Sequence, residues 1–292
     1  MTGFGELSSS RGFQKTYQKT EEVIRSYTFP SHSLRILDVG GGMGYLGRAL
    51  QDTGQGVDYV NIDLDEEALK RSPGKTIVED SVFMYEALRD EQLFDVVALL
   101  NYDPHIEQGR LLGDFYTNGT NPEFHRFWKS QTYERLKNQH LEISITSSSL
   151  LLREDGIFLM SGIFPEDAID FISDLAYLDS LDIYLEADIP SCLDRATALK
   201  FAEYDTGGDL NVPVNINLAE GSIAMDHGVE GRSPEKVVEF YQNNHRLLVF
   251  RLRYIDRGRV SRHLEMMIEG HKATVDMYTN PHLDDEEIMS DF

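Results

Sequence analysis

The chain is poor in cysteine, in positive charge and in long apolar runs, and each shortage excludes something. Its 292 residues include one cysteine, Cys192. One thiol rules out an internal disulfide framework and any multi-cysteine metal cluster. Only 27 lysines and arginines stand against 50 aspartates and glutamates, a formal net charge of −23. A surface of that sign repels phosphate backbones, so no nucleic-acid partner is expected. No apolar run approaches the roughly 18 residues that a membrane span needs. The opening stretch MTGFGELSSSRGFQKTYQKTEE is polar and lacks the apolar segment of a secretion signal. A cytoplasmic, acidic protein with no membrane partner is the expectation. The acid excess suits plain solubility, and it also suits a high-salt environment.

What is present reads as globular. Hydrophobic residues make up 41% of the chain, enough for a sizeable core. Gln14–Tyr27 spaces Tyr17, Val23, Ile24 and Tyr27 as a helix does, and Pro30 stops it. LRILDVG (34–40), VDYVNID (57–63), TIVED (76–80) and FDVVALLN (94–101) read as strands. Between them YLGRALQDTG, DEEALKRS and VFMYEALRDEQ read as helices. Strands alternating with helices at this pitch imply a parallel sheet in an α/β fold, and the unbroken apolar runs imply cover on both faces. A long helix is expected over 130–152, and REDG then turns into the strand IFLMSG (157–162). PEDAIDFISDLAYLDS (165–180) is expected as a helix, followed by the strands LDIYLEADI (181–189) and HRLLVFRLRYI (245–255). Four parts follow: an N-terminal helical segment, 1–33; the sheet core, 34–189; an insertion and candidate substrate cap, 190–245; and 246–292, with the last strand, a C-terminal helix and an acidic tail.

The glycines of ILDVGGGMGYLG, residues 36–47, stand between a strand and a helix. There, backbone N–H groups meet a ligand with few side chains in the way. Asp63 ends the next strand, where a carboxylate can accept hydrogen bonds from ribose hydroxyls. Gly42 to Gly47 satisfy G-x-G-x-x-G, the dinucleotide fingerprint. Asp38 to Gly44 satisfy D-x-G-x-G-x-G as well. Asp38 separates the two readings. A dinucleotide fold normally has an apolar residue there, because a buried carboxylate without a partner is costly.

The D-x-G-x-G-x-G stretch resembles the first motif of the class I S-adenosylmethionine-dependent methyltransferases. VNIDLDEEAL, IVEDS, FDVVALLN and LLREDGIFLMSG are similar to that family's later motifs, with Glu154-Asp155 in place of its usual Pro-Gly. The resemblance covers roughly residues 34–175. It implies a seven-stranded, mostly parallel, doubly wound sheet whose last strand is antiparallel, with an insertion before that strand. It implies S-adenosyl-L-methionine as cofactor, with Asp38 near its ammonium group, Gly40, Gly42 and Gly44 along it, and Asp63 on the ribose. Asp80 and Ser81 would meet the adenine, and Asn101 would lie close by. LMSGIFPEDAIDFI also resembles, over a short stretch, the ribosomal-protein lysine methyltransferases. A silent cofactor-binding scaffold and an NAD-dependent oxidoreductase are the alternative functions.

In open α/β sheets a ligand lies beyond the carboxyl ends of the strands, so residues after strand four should flank the acceptor. Asp103 and His105 are the candidate bases, and Tyr102, Phe115, Tyr116 and Trp128 candidate acceptor contacts. The aromatic run that also includes Phe124 and Phe127 reads equally as a lid or as an anchor for a long loop. Tyr17 and Phe13 either close over the cofactor or simply pack a helix on the sheet. Asp103, His105 and Glu107 lack the further histidine or cysteine that a metal would want, so no metal is expected. A small-molecule acceptor is favoured over a protein.

Overall fold

Leu34–Val39 (β1) and Phe94–Leu100 (β4) are buried at every position, as strands covered on both faces must be. The computed structural model describes residues 11–29, 33–51, 56–101, 131–164, 177–178, 180–190, 193–205 and 234–279. The remaining strands are Val57–Asp63 (β2), Lys75–Val78 (β3), Leu152–Ile163 (β5), Tyr177–Leu178 (β6), Leu181–Pro190 (β7) and His245–Ile255 (β8). They form one sheet in the order β3-β2-β1-β4-β5-β8-β7-β6. β3, β2, β1, β4 and β5 are mutually parallel. β8 runs antiparallel to both β5 and β7, so the expected antiparallel closing pair is present.

Two expectations need correction. Residues 165–180 do not form one helix, because Tyr177 and Leu178 pair with Asp182 and Leu181 as a short edge strand. The residues just ahead of them lie outside the described part. REDG is a turn, but it lies within a strand. Phe94 pairs with Leu152 and Val96 with Ile157, so Arg153 to Gly156 bulge out of β5. Asp155 has a φ of 61°, and Arg153 Nη1 ties the bulge to Asp95 at 2.8 Å.

Helices cover both faces. Met84–Leu88 (α4), Gln131–Leu151 (α5) and Arg257–Thr279 (α8) bury Met84, Leu88, Leu141, Ile145, Val260 and Leu264 on one side. Arg11–Ser26 (α1), Tyr45–Gln51 (α2), Arg195–Asp205 (α6) and Pro234–Asn244 (α7) bury Phe13, Tyr17, Leu46, Ala198, Val238 and Tyr241 on the other. The short Glu66–Leu69 (α3) follows β2. The two helices described within 190–245, α6 and α7, thus belong to a core layer. No helix among the described residues is long and apolar enough to cross a membrane.

α2 lies against β2 at one close point. A β-carbon on Gly47 would sit 2.6 Å from Cε1 of Tyr59, whose ring is almost wholly buried. Helix propensity alone favours alanine over glycine by about 1 kcal/mol. Gly47→Ala should nevertheless destabilise the protein, by about 1–3 kcal/mol, because a rigid ring cannot make room. Urea denaturation measures this, and an unchanged or higher midpoint would mean that α2 and β2 do not meet there.

Candidate functional site

β1 ends in a turn of backbone. Gly40 and Gly42 have φ of 67° and 50°, a left-handed conformation that side-chain-bearing residues rarely adopt. Among the described residues, chain neighbours aside, no atom lies within 4 Å of where a β-carbon on Gly40 would be, and Asp63 Oδ2 lies 3.9 Å from that of Gly42. Nothing among the described residues therefore crowds the two glycines. Gly44 differs: it is buried against Ser72 and Pro73, and its N–H donates to Gly41 O at 2.8 Å. It closes the turn and leads into α2.

Asp63 and Asp65 divide two jobs. Asp63 Oδ2 accepts from Gly42 N at 2.8 Å, which ties the end of β2 to the turn. Its Oδ1 accepts from Asp65 N at 2.7 Å. Asp65 Oδ1 accepts from the backbone of Glu67 and Ala68, both at 3.1 Å, and so caps α3. Asp63 is the carboxylate beside the turn, and Asp65 is structural.

Beneath the turn lies Asp38, 1% exposed. Tyr59 OH donates to its Oδ2. Burial, with the nearby charge of Asp63, raises the Asp38 carboxyl from 3.8 to about 7, against the opposing pull of the Tyr59 hydrogen bond. Asn61, in register with Asp38 on β2, donates through Nδ2 to Gly42 O at 2.9 Å and to Ser72 Oγ at 2.8 Å. An asparagine inside the apolar run VDYVNID is the signal that reading the sequence missed.

Asp80 and Ser81 follow β3 and are buried. Asp80 Oδ1 accepts from Val82 N at 2.8 Å and caps a single 3₁₀ turn, Ser81–Phe83. Ser81 Oγ bonds His140 Nε2 of α5 at 2.7 Å, and His140 meets His271 of α8 edge-on. The neutral form of His271 is favoured, its pKa lowered to about 4 by burial and by His140. These side chains fix the shape of the turn after β3.

Asn101 closes β4 with a φ of 53°, an uncommon backbone for a residue other than glycine. Three elements hold it. Its N–H donates to Ser161 Oγ of β5 at 2.8 Å, its Nδ2 approaches Tyr17 OH of α1 at 3.4 Å, and His245 Nε2 of β8 lies 3.1 Å from its Oδ1. Burial lowers the His245 pKa to about 3, so the ring is neutral and Nε2 carries the hydrogen that Oδ1 accepts. Phe13 stacks on His245 and Tyr17 on Tyr45, so both residues of α1 are core residues as well as neighbours of the site. Tyr59, Asn61, Ser161 and His245 are the site residues that sequence reasoning did not find.

Asp38, Gly40, Gly42, Asp63 and Asn101 thus gather at the carboxyl ends of β1, β2 and β4. Asp103, His105, Tyr102, Phe115, Tyr116 and Trp128 lie outside the described residues, as do Glu107, Phe124 and Phe127. Among the described residues no group of three or more histidines, cysteines or acids is placed to hold a metal.

No family model matches the chain, and no curated protein matches it. Solved structures do. The chain is similar to a SAM dependent methyltransferase from Archaeoglobus fulgidus, at 12% identity over 85% of this chain and 98% of that one, with a TM-score of 0.42. It is similar to a chain of a Haloferax volcanii complex that contains the Trm112 methyltransferase activator, at 13% identity over 83% and 90% and a TM-score of 0.41. Magnesium protoporphyrin IX methyltransferase from Synechocystis, with bound SAM, is similar at 13% identity over 64% and 79%, with a TM-score of 0.38. At such identities and scores these likenesses say nothing of chemistry, and the α/β fold follows from this chain's own strand order.

The buried groups set a pH dependence. The Asp38 pKa is higher in the folded state than in the open chain, about 7 against 3.8, so the folded state holds its proton more tightly. The contribution is complete below about pH 4 and is lost as pH rises through 7. His245 acts in the opposite sense. Its folded pKa, about 3, lies below 6.5, so its contribution is complete above pH 6.5 and drains as pH falls toward 3. Urea denaturation between pH 5 and pH 8 should show wild type losing stability relative to Asp38→Asn as pH rises. Parallel curves would mean that Asp38 is ionised throughout.

Proposed function

We propose that this chain is an S-adenosylmethionine-dependent methyltransferase. The observation that carries the reading is the buried Asp38 carboxyl directly beneath a glycine turn whose Gly40 and Gly42 are uncrowded among the described residues. A dinucleotide's pyrophosphate is negative and gains nothing from a carboxyl in that place. A ligand with a positively charged end gains from it.

S-adenosylmethionine, when bound, supplies a methyl group on an electron-poor sulfur. The residues of this chain bind, orient and keep water out. Gly40 and Gly42 give close approach to backbone, and Asp63 beside them has the chemistry to accept from ribose hydroxyls. The turn at Asp80-Ser81 is proposed for the adenine edge. Asn101 is rigidly held, so it shapes the floor near the end of β4. The chain continues from it into Tyr102, Asp103 and His105, and these stay the proposed groups on the acceptor side, with Asp103 or His105 as base. The acceptor is proposed to be a small molecule, since a net charge of −23 disfavours a nucleic acid and the aromatic residues 115–128 suit an enclosed pocket.

Calorimetry tests the reading. S-adenosylhomocysteine should bind in the micromolar range, about 8 kcal/mol, and NADH should not. Asp63→Ala should weaken it by about 1.5–3 kcal/mol, the scale of a hydrogen bond to a charged group. Asp65→Ala should leave affinity intact and lower stability by about 0.5–2 kcal/mol, as loss of a helix cap does. Tighter binding of NADH, or the reverse result for the two aspartates, would overturn the assignment.

A further inference from the structure

Asp38 and Asn61 are register partners on β1 and β2, and both are buried under Gly41. A β-carbon on Gly41 would lie 2.5 Å from both Cγ and Oδ2 of Asp38 and 2.6 Å from Asn61 Oδ1, so the carboxyl, by its Oδ2 side, and the amide oxygen share one spot. The amide cannot be turned round. Its Nδ2 faces the Gly42 carbonyl, which only accepts, and that leaves Oδ1 beside Asp38. Tyr59 OH occupies Asp38 Oδ2. Asp38 Oδ1 and Asn61 Oδ1 remain, each buried with no hydrogen-bond partner among the described residues.

Buried acceptors are rarely left unmet. A proton on the Asp38 carboxyl makes that group a donor, and Asn61 Oδ1 accepts from it. We propose that Asp38 is a neutral carboxylic acid in the ligand-free protein, donating to Asn61, and that a ligand's ammonium group settling at the glycine turn displaces this proton, with Tyr59 the positioning residue that sets how readily it leaves. The acid–amide pair stands on the geometry alone. The ammonium half rests on the methyltransferase reading above.

The step balances. The Asp38 O–H bond breaks, the carboxylate keeps the electron pair, the proton goes to solvent, and the arriving positive charge replaces the departing one. The groups facing Asp38 agree with this. Tyr59 and Asp63 come from β2, Tyr17 of α1 acts on Tyr59, and the β4 residue in register is Ala98, so no described cation offsets the carboxylate. Burial raises the Asp38 pKa to about 7, which sets the pH range to search. Tyr59 hydrogen-bonds the charged form and so favours release.

Calorimetry of S-adenosylhomocysteine at pH 6 and pH 8, each in two buffers of different ionisation enthalpy, counts the protons. A carboxyl with that pKa gives up close to one proton per ligand at pH 6 and about a tenth of one at pH 8, and affinity is about tenfold weaker at pH 6. 5′-Methylthioadenosine keeps the adenosine and the thioether but has no ammonium group, and it should bind without releasing a proton. Asp38→Asn should abolish the release. Tyr59→Phe, lacking the hydrogen bond to the carboxylate, should release more protons at pH 8 than wild type does. S-adenosylhomocysteine bound at pH 6 with no proton released, or equal release by both ligands, overturns the proposal. If neither ligand binds, the methyltransferase reading and the ammonium half fall together. The acid–amide pair is then decided on the ligand-free protein, by whether Asp38→Asn removes its loss of stability with rising pH.

Discussion

β1 is hydrogen-bonded to a strand on each side and covered by helices on both faces. A polar group placed in it must therefore find its partner inside the protein, since water is out of reach. The rest of the molecule is arranged around how that demand is met at the two ends of the strand. At the start, Arg35 is met in full. Its guanidinium pairs with Asp58 and Glu91 at 2.7 and 2.8 Å, donates to the Gln92 carbonyl, and lies over the Phe94 ring. At the end, Asp38 has one donor, Tyr59, and one oxygen unmatched among the described residues. The same strand thus carries a polar residue that is finished and one that is not. The unfinished one lies at the carboxyl end, where ligands of open α/β sheets are bound.

Similar logic applies to β4. Asn101 sits at its carboxyl end in a backbone conformation that costs energy, and α1, β5 and β8 each supply a group that holds it there. Ser161 and His245 are neighbours across the β5–β8 pairing, two residues out of direct register, because Ser161 faces Leu247 and Ile163 faces His245. The antiparallel return of β8 is what brings His245 to the end of β4. The antiparallel strand is thus part of the site as well as of the sheet. α1 is drawn in the same way: Phe13 and Tyr17 are buried in the core, and the tip of Tyr17 reaches the Asn101 amide. Packing of the N-terminal helix and shaping of the site are one event.

Much of this was legible in the order of residues. Unbroken apolar runs such as FDVVALL mark strands buried on both faces, and the alternation with short amphipathic stretches marks the parallel sheet. Local chemistry placed the glycine turn, Asp38 before it and Asp63 at the end of the next strand. The capping role of Asp65, as against the position of Asp63 beside the turn, came from the hydrogen bonds of the structure. Where local chemistry was ambiguous it misled. The stretch ending in Tyr177 and Leu178 has helical character, yet β7 offers an edge to pair with, and tertiary pairing overrides weak propensity.

The chain's residue order alone carried the fold class, the strand-to-glycine-to-helix motif and the identity of its two acids, because each depends on neighbours within a few residues. It did not carry the partners of those acids. Tyr59 reaches Asp38 across β2, Asn61 shares its buried spot, and His245 reaches Asn101 over 144 positions of sequence. Whether a buried carboxyl is charged or neutral, and whether an asparagine is free to move or locked, depends on which groups the fold brings within about 3 Å of it. That distance is set by strand register and helix packing, which no local spacing encodes.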